Sequence, residues 1–167
     1  FDRITRPEQI ISSLQHAIQV MLDPADCGPA CISLSQDVQG EVFEYPEEFF
    51  KERIHTIRRP RPDDFQIKEA AEQIKKSKKP IIIAGGGIFY SDATEELSAF
   101  AKKHNIPVTQ TVMGYSSLKK DHSHYLGTIG GLGGKAANNL SKETDTAIAV
   151  GTKLADFTTG SWANFEN

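Results

Sequence analysis

Pro80-Ile81-Ile82-Ile83-Ala84-Gly85-Gly86-Gly87 is the stretch on which the reading of this chain turns. Three consecutive isoleucines, bounded by proline and glycine, are too few for a buried helix and read as a short strand. No polar residue alternates with them, so both faces of the strand are covered, the usual environment of a parallel sheet. The glycines then turn the chain past Ile88, Phe89 and Tyr90. Ser91 or Asp92 is placed to cap a helix running from about Ala93 to His104.

A strand, a glycine turn and a helix can cradle a phosphate. Residues without side chains let backbone N–H groups approach the anion, and the helix N-terminus adds partial positive charge. Gly85, Gly86 and Gly87 do not complete a Gly-x-Gly-x-x-Gly fingerprint, because Phe89 and Tyr90 stand where its last part belongs. Two readings stay open here: a tight strand-to-helix turn with no ligand, and a nucleotide or flavin contact.

Outward from this strand, the same pattern repeats. A helix over about Asp64–Lys76, with Ile67, Ala70, Ala71 and Ile74 on its apolar face, delivers the chain to Pro80. Beyond the helix that carries Leu97, Phe100 and Ala101, the turn Asn105-Ile106-Pro107 leads into a second strand, Val108–Val112, which ends at Met113-Gly114. Strand, helix and strand in this order predict a right-handed parallel crossover. Tyr125–Ile129 is a third strand, followed by Gly130, Gly131, Gly133 and Gly134 and a helix over about Lys135–Ser141. Thr146–Val150 is a fourth, opened by Asp145 and leaving through Gly151, Thr152, Lys153, Leu154, Ala155 and Asp156. Glycine or small polar residues therefore follow every strand, and all these turns fall at the carboxyl edge of one parallel sheet. Open α/β sheets bind ligands at that edge.

Between the second and third strands lies a polar loop with His122 and His124. Two histidines two residues apart need further metal ligands, and nothing nearby supplies a third. Near the end of the chain, Trp162 and Phe165 read as packing residues.

The opening stretch reads differently. Thr5 with Glu8 forms a capping box, Pro7 suits an early helical position, and Ile10, Ile11, Leu14, Ala17, Ile18, Met21 and Leu22 recur at helical spacing. Asp23–Pro29 ends that helix. Ala30–Leu34 reads as a strand, with Asp37 at its exit as either a turn former or a site residue. One helix and one strand cannot enclose a core, so residues 1–39 are expected to be the end of another domain. From Gly40 to Asp63 an acidic block (Glu41, Glu44, Glu47, Glu48) gives way to a basic one (Lys51, Arg53, Arg58, Arg59, Arg61) with interspersed prolines. That composition predicts an interdomain linker, with His55 on its surface. The basic run could alternatively bind phosphate. The chain, which lacks an initiating Met and a closing strand, is expected to be cut at both ends.

Composition excludes several function classes. The 167 residues suffice for one good domain, or for one domain and a piece of another. Nineteen basic against 22 acidic residues leave a net charge of −3, which offers no sequence-wide attraction to nucleic acid or anionic lipid. No apolar run approaches the ~20 residues of a membrane span, and no basic-then-apolar leader opens the chain, so a cytoplasmic protein is expected. Cys27 and Cys31, at Cys-x3-Cys spacing with no second pair, match neither a zinc site nor a redox pair and read as reduced structural thiols.

Several segments together carry a resemblance. These are Ile4-Thr5-Arg6-Pro7-Glu8-Gln9, Leu34-Ser35-Gln36-Asp37-Val38, Lys79–Gly87, Asn105–Val108, Leu126-Gly127 and Ala149–Phe157. In this order the chain resembles the thiamine-diphosphate-dependent enzymes of the acetolactate synthase type. Asp2-Arg3-Ile4-Thr5 and Asp156–Ser161 look most like a hydrolase branch of that superfamily, which opens cyclic 1,2-diketones in inositol catabolism.

The resemblance implies a Rossmann-like parallel α/β sheet with helices on both faces, of the central-domain type that binds NAD or FAD. It also implies boundaries: residues 1–39 as the end of the pyrimidine-binding domain, 40–63 as linker, and 64–167 as a central domain truncated at its C-terminal end. The whole protein would then use thiamine diphosphate and Mg²⁺, with the cofactor as electron sink. The family holds these with a glutamate of the pyrimidine domain and with a Gly-Asp-Gly motif plus a downstream Asn. Neither is present here, so this segment is expected to carry no catalytic or metal-binding residue and to be inactive alone. Its partners would be the missing pyrimidine- and diphosphate-binding domains and further copies in a homo-oligomer, not nucleic acid or membrane.

In flavin-containing relatives the carboxyl edge of the central domain holds FAD, in others ADP or nothing. The matching positions here are Gly85, Gly86, Gly87, Met113, Gly114, Gly151, Thr152, Lys153 and Asp156. Because hydrolysis involves no net redox change, any FAD is expected to be structural or absent. Two other classes remain open: an independent FAD- or nucleotide-binding module, and an interaction domain that self-associates through the apolar face of its first helix.

Overall fold

The computed structural model describes residues 1–23 and 27–165. They fall into two units, one of residues 1–61 and one that begins at Pro62, so the division lies inside the stretch read as a linker. Pro24, Ala25 and Asp26 of the expected turn lie outside the described residues.

The first unit opens with a strand that the sequence reading lacks. β1 (Asp2–Ile4) pairs in parallel with β2 (Ile32–Leu34), and Ile4 is its buried residue. Between them runs α1 (Ile10–Leu22). Three residues of Asp-Arg-Ile carry no readable periodicity, and only the pairing with β2 makes them a strand. The capping box also differs. Gln9, not Glu8, folds back, and its Oε1 accepts from the Thr5 N–H at 2.7 Å, the Arg6 N–H at 3.0 Å and the Thr5 hydroxyl at 2.9 Å. Pro7 opens a 3-10 turn that leads into α1, and shifting the helix start moves the back-bonding partner one residue along.

After β2 comes a single helical turn, α2 (Gln36–Gln39), containing Asp37. The 40–61 stretch is irregular apart from a 3-10 turn at Glu47–Phe50. There Phe43, Tyr45, Phe49 and Phe50 form an aromatic group, and the Tyr45 hydroxyl donates to the Pro7 carbonyl at 3.3 Å. Cys27 and Cys31 are free thiols, and both are exposed rather than packed, which removes their expected structural role. His55 is exposed.

The second unit is built on a four-stranded parallel sheet in the order β5-β4-β3-β6. Its strands are β3 (Pro80–Ala84), β4 (Val108–Gln110), β5 (Tyr125–Thr128) and β6 (Thr146–Val150). β3 is central, pairing with β4 on one side and with β6 on the other, and its residues 81–84 are all buried. Side chains alternate across a strand, so the isoleucine run serves two cores. Ile82 and Ala84 join Leu97, Ala101, Ile106, Val108 and Leu118 on one face, under α5 (Thr94–His104). Ile83 joins Ile129 and Ala137 on the other, under α6 (Lys135–Glu143).

α3 (Asp64–Lys76) begins where the sequence places it, with Asp63 as its cap accepting from the Gln66 N–H at 2.8 Å. Its apolar face is not buried, however. Phe65 and Ile67 are exposed, and only Ile74 packs against the core. Neither Ser91 nor Asp92 caps α5. The glycine turn instead winds into one extra helical turn, α4 (Gly87–Tyr90), which shifts the true cap position to Ala93, without a side-chain bond. Past β6, α7 (Asp156–Thr159) is a turn that the sequence reading lacks. Of the two expected packing residues there, Phe165 joins the Ile83 core, whereas Trp162 is 60% exposed. No helix among the described residues is long and apolar enough to cross a membrane.

Candidate functional site

Because all four strands are parallel, the turns after them share one edge. The strand order reverses direction between β3 and β6: the chain first builds outward through β4 and β5, then crosses back to the other side of β3. Such a switch point is where two loops diverge and leave a crevice in an open α/β sheet. Here the two loops are Gly85–Gly87 and Gly151–Thr152.

The structure brings these loops into backbone contact. The Gly85 N–H donates to Val150 O and the Gly87 N–H to Gly151 O, both at 2.9 Å. A β-carbon on Gly85 would lie 2.2 Å from Gly151 O, and one on Gly87 would lie 2.5 Å from Gly151 Cα. Gly151 itself sits at φ +62°, in the left-handed region, with a β-carbon position 2.6 Å from Gly87 Cα. On the other side Gly114 packs against the end of β3, its β-carbon position 2.2 Å from Ala84 O. Gly86 is partly buried, its β-carbon position 3.2 Å from Met113 O and 3.6 Å from the ring of Tyr90.

This arrangement engages most of the N–H groups of the glycine turn. A phosphate cradle needs successive N–H groups directed at the ligand. Of the four from Gly85 to Ile88, three are engaged inside the protein, since Ile88 N–H also donates to Gly85 O at 3.2 Å. Gly85 and Gly87 thus lock the turn to the loop after β6. Thr152 is partly buried beside Gly85, and Lys153 is exposed.

Asp156 lies with a second group. It heads α7, accepts at Oδ1 from the Ser161 hydroxyl at 2.8 Å, and is followed by Phe157, whose carbonyl accepts from the Gly131 N–H at 2.8 Å. Gly130, at φ +95°, has no room for a side chain against Phe157 O. Asn138 of α6 reads the Gly130 backbone twice, its Oδ1 accepting from the N–H at 2.9 Å and its Nδ2 donating to the carbonyl at 3.0 Å. The carboxyl edge is thus divided: Gly85, Gly86, Gly87, Met113, Gly114, Gly151 and Thr152 form one cluster, and Asp156 joins the 130–131 turn.

The sequence reading missed Asn138 and Gln110, the residues that hold the two outer loops in place. Gln110 had a faint signal, a long amide within the expected strand Val108–Val112. Asn138 had none, because a helical Asn is ordinarily a surface residue.

The loop carrying His122 and His124 precedes β5 and so lies at the amino end of the sheet, away from these turns. His124 binds Asn105 through Nε2 at 2.8 Å and Ser123 through Nδ1 at 2.9 Å, which uses both ring nitrogens. Among the described residues no three His, Cys, Asp or Glu side chains converge as a metal site. The carboxylate most displaced from its ordinary behaviour is at the opposite, amino edge. Asp145 accepts from the Ser77 hydroxyl and from the Lys78 and Lys79 N–H groups, at 2.7 and 3.1 Å for the latter two. These hydrogen bonds, the serine's foremost, hold its pKa down at about 2. A groove of about 200 Å³ beside it is lined by Thr144, Thr146, Leu154, Trp162 and Phe165 and lies away from the glycine lock.

The family profile described as "Thiamine pyrophosphate enzyme, central domain" matches residues 67–167. Among curated proteins, the 3D-(3,5/4)-trihydroxycyclohexane-1,2-dione hydrolases of Clostridium perfringens (strain 13) and Clostridium botulinum (strain Eklund 17B) are 49% and 50% identical over all 167 residues. That of Shouchella clausii is 47% identical over 166 residues. The chain spans 26% of each of these relatives, about a quarter of their length. Among solved structures, benzoylformate decarboxylase from Polynucleobacter necessarius superimposes with a TM-score of 0.71 at 23% identity. That match covers 93% of this chain and 28% of the decarboxylase, a likeness of fold.

Proposed function

Because this chain belongs to the family of thiamine pyrophosphate enzyme central domains, we propose that it is the central part of a thiamine-diphosphate-dependent hydrolase that opens the ring of a cyclic 1,2-diketone in the cytoplasm. One observation carries this reading: identity of 46% to 50% to proteins named as trihydroxycyclohexanedione hydrolases extends over the whole chain, including the first unit, which lies outside the profile match. The alternative is an acetolactate synthase-like condensing enzyme of the same family; the relatives named above favour the hydrolase.

In enzymes of this kind thiamine diphosphate, held with Mg²⁺, supplies the electron sink for breaking a C–C bond. The residues of this chain do not fit that group. A metal-held diphosphate needs converging hard oxygen ligands. No Gly-Asp-Gly occurs in the 167 residues, and no converging acidic or histidine cluster occurs among the described ones. We assign the catalytic and metal-holding residues to other domains of the same protein. Residues 1–39 would then end its pyrimidine-binding domain, 40–63 link, and 64–167 belong to the central domain, within a homo-oligomer.

The role left to this chain is that of scaffold, with the carboxyl edge of its sheet as an accessory site for an adenine nucleotide, FAD or ADP. In that role Gly85, Gly87, Gly114 and Gly151 shape the floor. Gly86, Met113 and Thr152 meet the ligand, and Lys153 supplies the positive charge that the engaged glycine N–H groups do not. Asp156 belongs to the rim.

The test uses the full-length protein with thiamine diphosphate and Mg²⁺. Consumption of 3D-(3,5/4)-trihydroxycyclohexane-1,2-dione with formation of the ring-opened acid is the expected result. Condensation of pyruvate to acetolactate, with the dione left intact, would overturn the hydrolase reading in favour of the synthase. Equilibrium dialysis of the same protein against ADP and FAD tests the accessory site.

A further inference from the structure

The loop after β4 stands at the carboxyl edge as an exposed, apolar arch. Val112, Met113 and Tyr115 are 51%, 73% and 51% exposed, while Leu118 at its far foot is 1% exposed and belongs to the core. Such an arch holds its shape only if something beneath it replaces the water its backbone would otherwise bind. Gln110, the last residue of β4 and 1% exposed, does this with both ends of its carboxamide. Its Nε2 donates to the Leu118 carbonyl at 2.9 Å, and its Oε1 accepts from the Ser116 N–H at 3.1 Å. The amide can point only one way, because Ser116 N–H can only donate and Leu118 C=O can only accept. Ser116, at φ +71°, is held in the left-handed region at the same point.

We propose that Gln110 is a positioning residue. Its buried carboxamide sets the 111–118 arch and so holds Met113 against Gly86, where a β-carbon on Gly86 would be 3.2 Å from Met113 O. The arch also ties back to β3 through Thr111 N–H to Ala84 O at 2.9 Å, so its placement is linked to the glycine lock. As a statement about a nucleotide site, the proposal rests on the accessory-site reading above. As a statement about the arch, it stands on the Gln110 contacts alone.

The experiment compares full-length wild type with Gln110→Glu and Gln110→Leu, by hydrogen exchange over a pH series and by ADP and FAD affinity. At neutral pH the glutamate is isosteric but, when ionised, cannot donate to Leu118 O. Exchange protection of residues 111–118 falls about tenfold while that of residues 81–84 is unchanged. Acidification protonates the carboxyl, which then donates to Leu118 O and accepts from Ser116 N–H, and protection returns towards wild type. Gln110→Leu stays unprotected at every pH. Should the leucine variant fail to fold, the glutamate series alone decides. Wild-type protection of the arch in Gln110→Leu, or in Gln110→Glu at a pH high enough to ionise the buried carboxyl, or a loss that acidification does not reverse, overturns the positioning role. A wild-type protein that binds neither ADP nor FAD overturns the accessory-site reading, and the exchange result then decides Gln110 by itself. A loosened arch together with weakened nucleotide binding supports both.

Discussion

Gly85 and Gly151 meet backbone to backbone: a β-carbon on Gly85 would stand 2.2 Å from the Gly151 carbonyl oxygen. That contact closes the switch point between β3 and β6, and neither strand's loop can move without the other. Gly85→Ala forces the two loops apart and should destabilise the full-length protein by about 1–3 kcal/mol, the usual range for overpacking. Gly86→Ala meets only Met113 at 3.2 Å and the tip of Tyr90, and should cost far less. Thermal unfolding of the two variants side by side checks the contrast, and equal losses would remove the lock from the account.

Asp145 joins the α3–β3 turn to the start of β6, accepting from Ser77, Lys78 and Lys79. Its folded pKa of about 2 lies below the ordinary 3.8. A depressed carboxyl contributes stability that is fully present above the unfolded pKa and fades as pH falls through the folded one. The stability difference between wild type and Asp145→Asn should therefore be constant above pH 4 and shrink as pH falls from about 4 to about 2. Denaturant titrations across that range measure it, and a difference independent of pH would mean that the carboxylate charge plays no part.

α3 buries none of its residues, so its local signals weigh more than usual. The cap bond from Gln66 N–H to Asp63 Oδ1, at 2.8 Å, is the chief one. Asp63→Ala should cost about 0.5–2 kcal/mol and should raise amide exchange first in the opening turn of α3. Exchange unchanged there would show that contacts outside this chain, not the cap, start the helix.

Ile82 occupies the central strand at 1% exposure, packed with Leu97, Ala101 and Val108. Ile82→Ala should cost about 2–5 kcal/mol, and Ile82→Val about 0.5–1.5 kcal/mol. Urea unfolding that ranks the two variants in the reverse order would contradict the packing described.

The 167-residue chain alone should show no saturable binding of thiamine diphosphate with Mg²⁺ in calorimetry, since it lacks converging ligands among its described residues. A micromolar dissociation constant would place part of the active site within it.

Local sequence determined the parts of this chain that depend on neighbours within a few residues. The isoleucine run of β3, the extent of β6, helix α3, and the order of strand, glycine turn and helix all follow from residue type and spacing. Parallel strands with a glycine turn after each then oblige the candidate loops to share one edge. Tertiary structure decided what no local pattern encodes. It made Asp2–Ile4 a strand by supplying β2 as a partner, and it gave the back-bond at Arg6 to Gln9 rather than Glu8 by moving the helix start. It also left the apolar face of α3 open. It also set what surrounds the glycines. A sequence shows that Gly85, Gly87 and Gly151 lack side chains, but not what fills the vacated space, and here each is filled by the backbone of a loop more than sixty residues distant in the chain. Long-range register, which brings β6 beside β3, placed those two loops against each other.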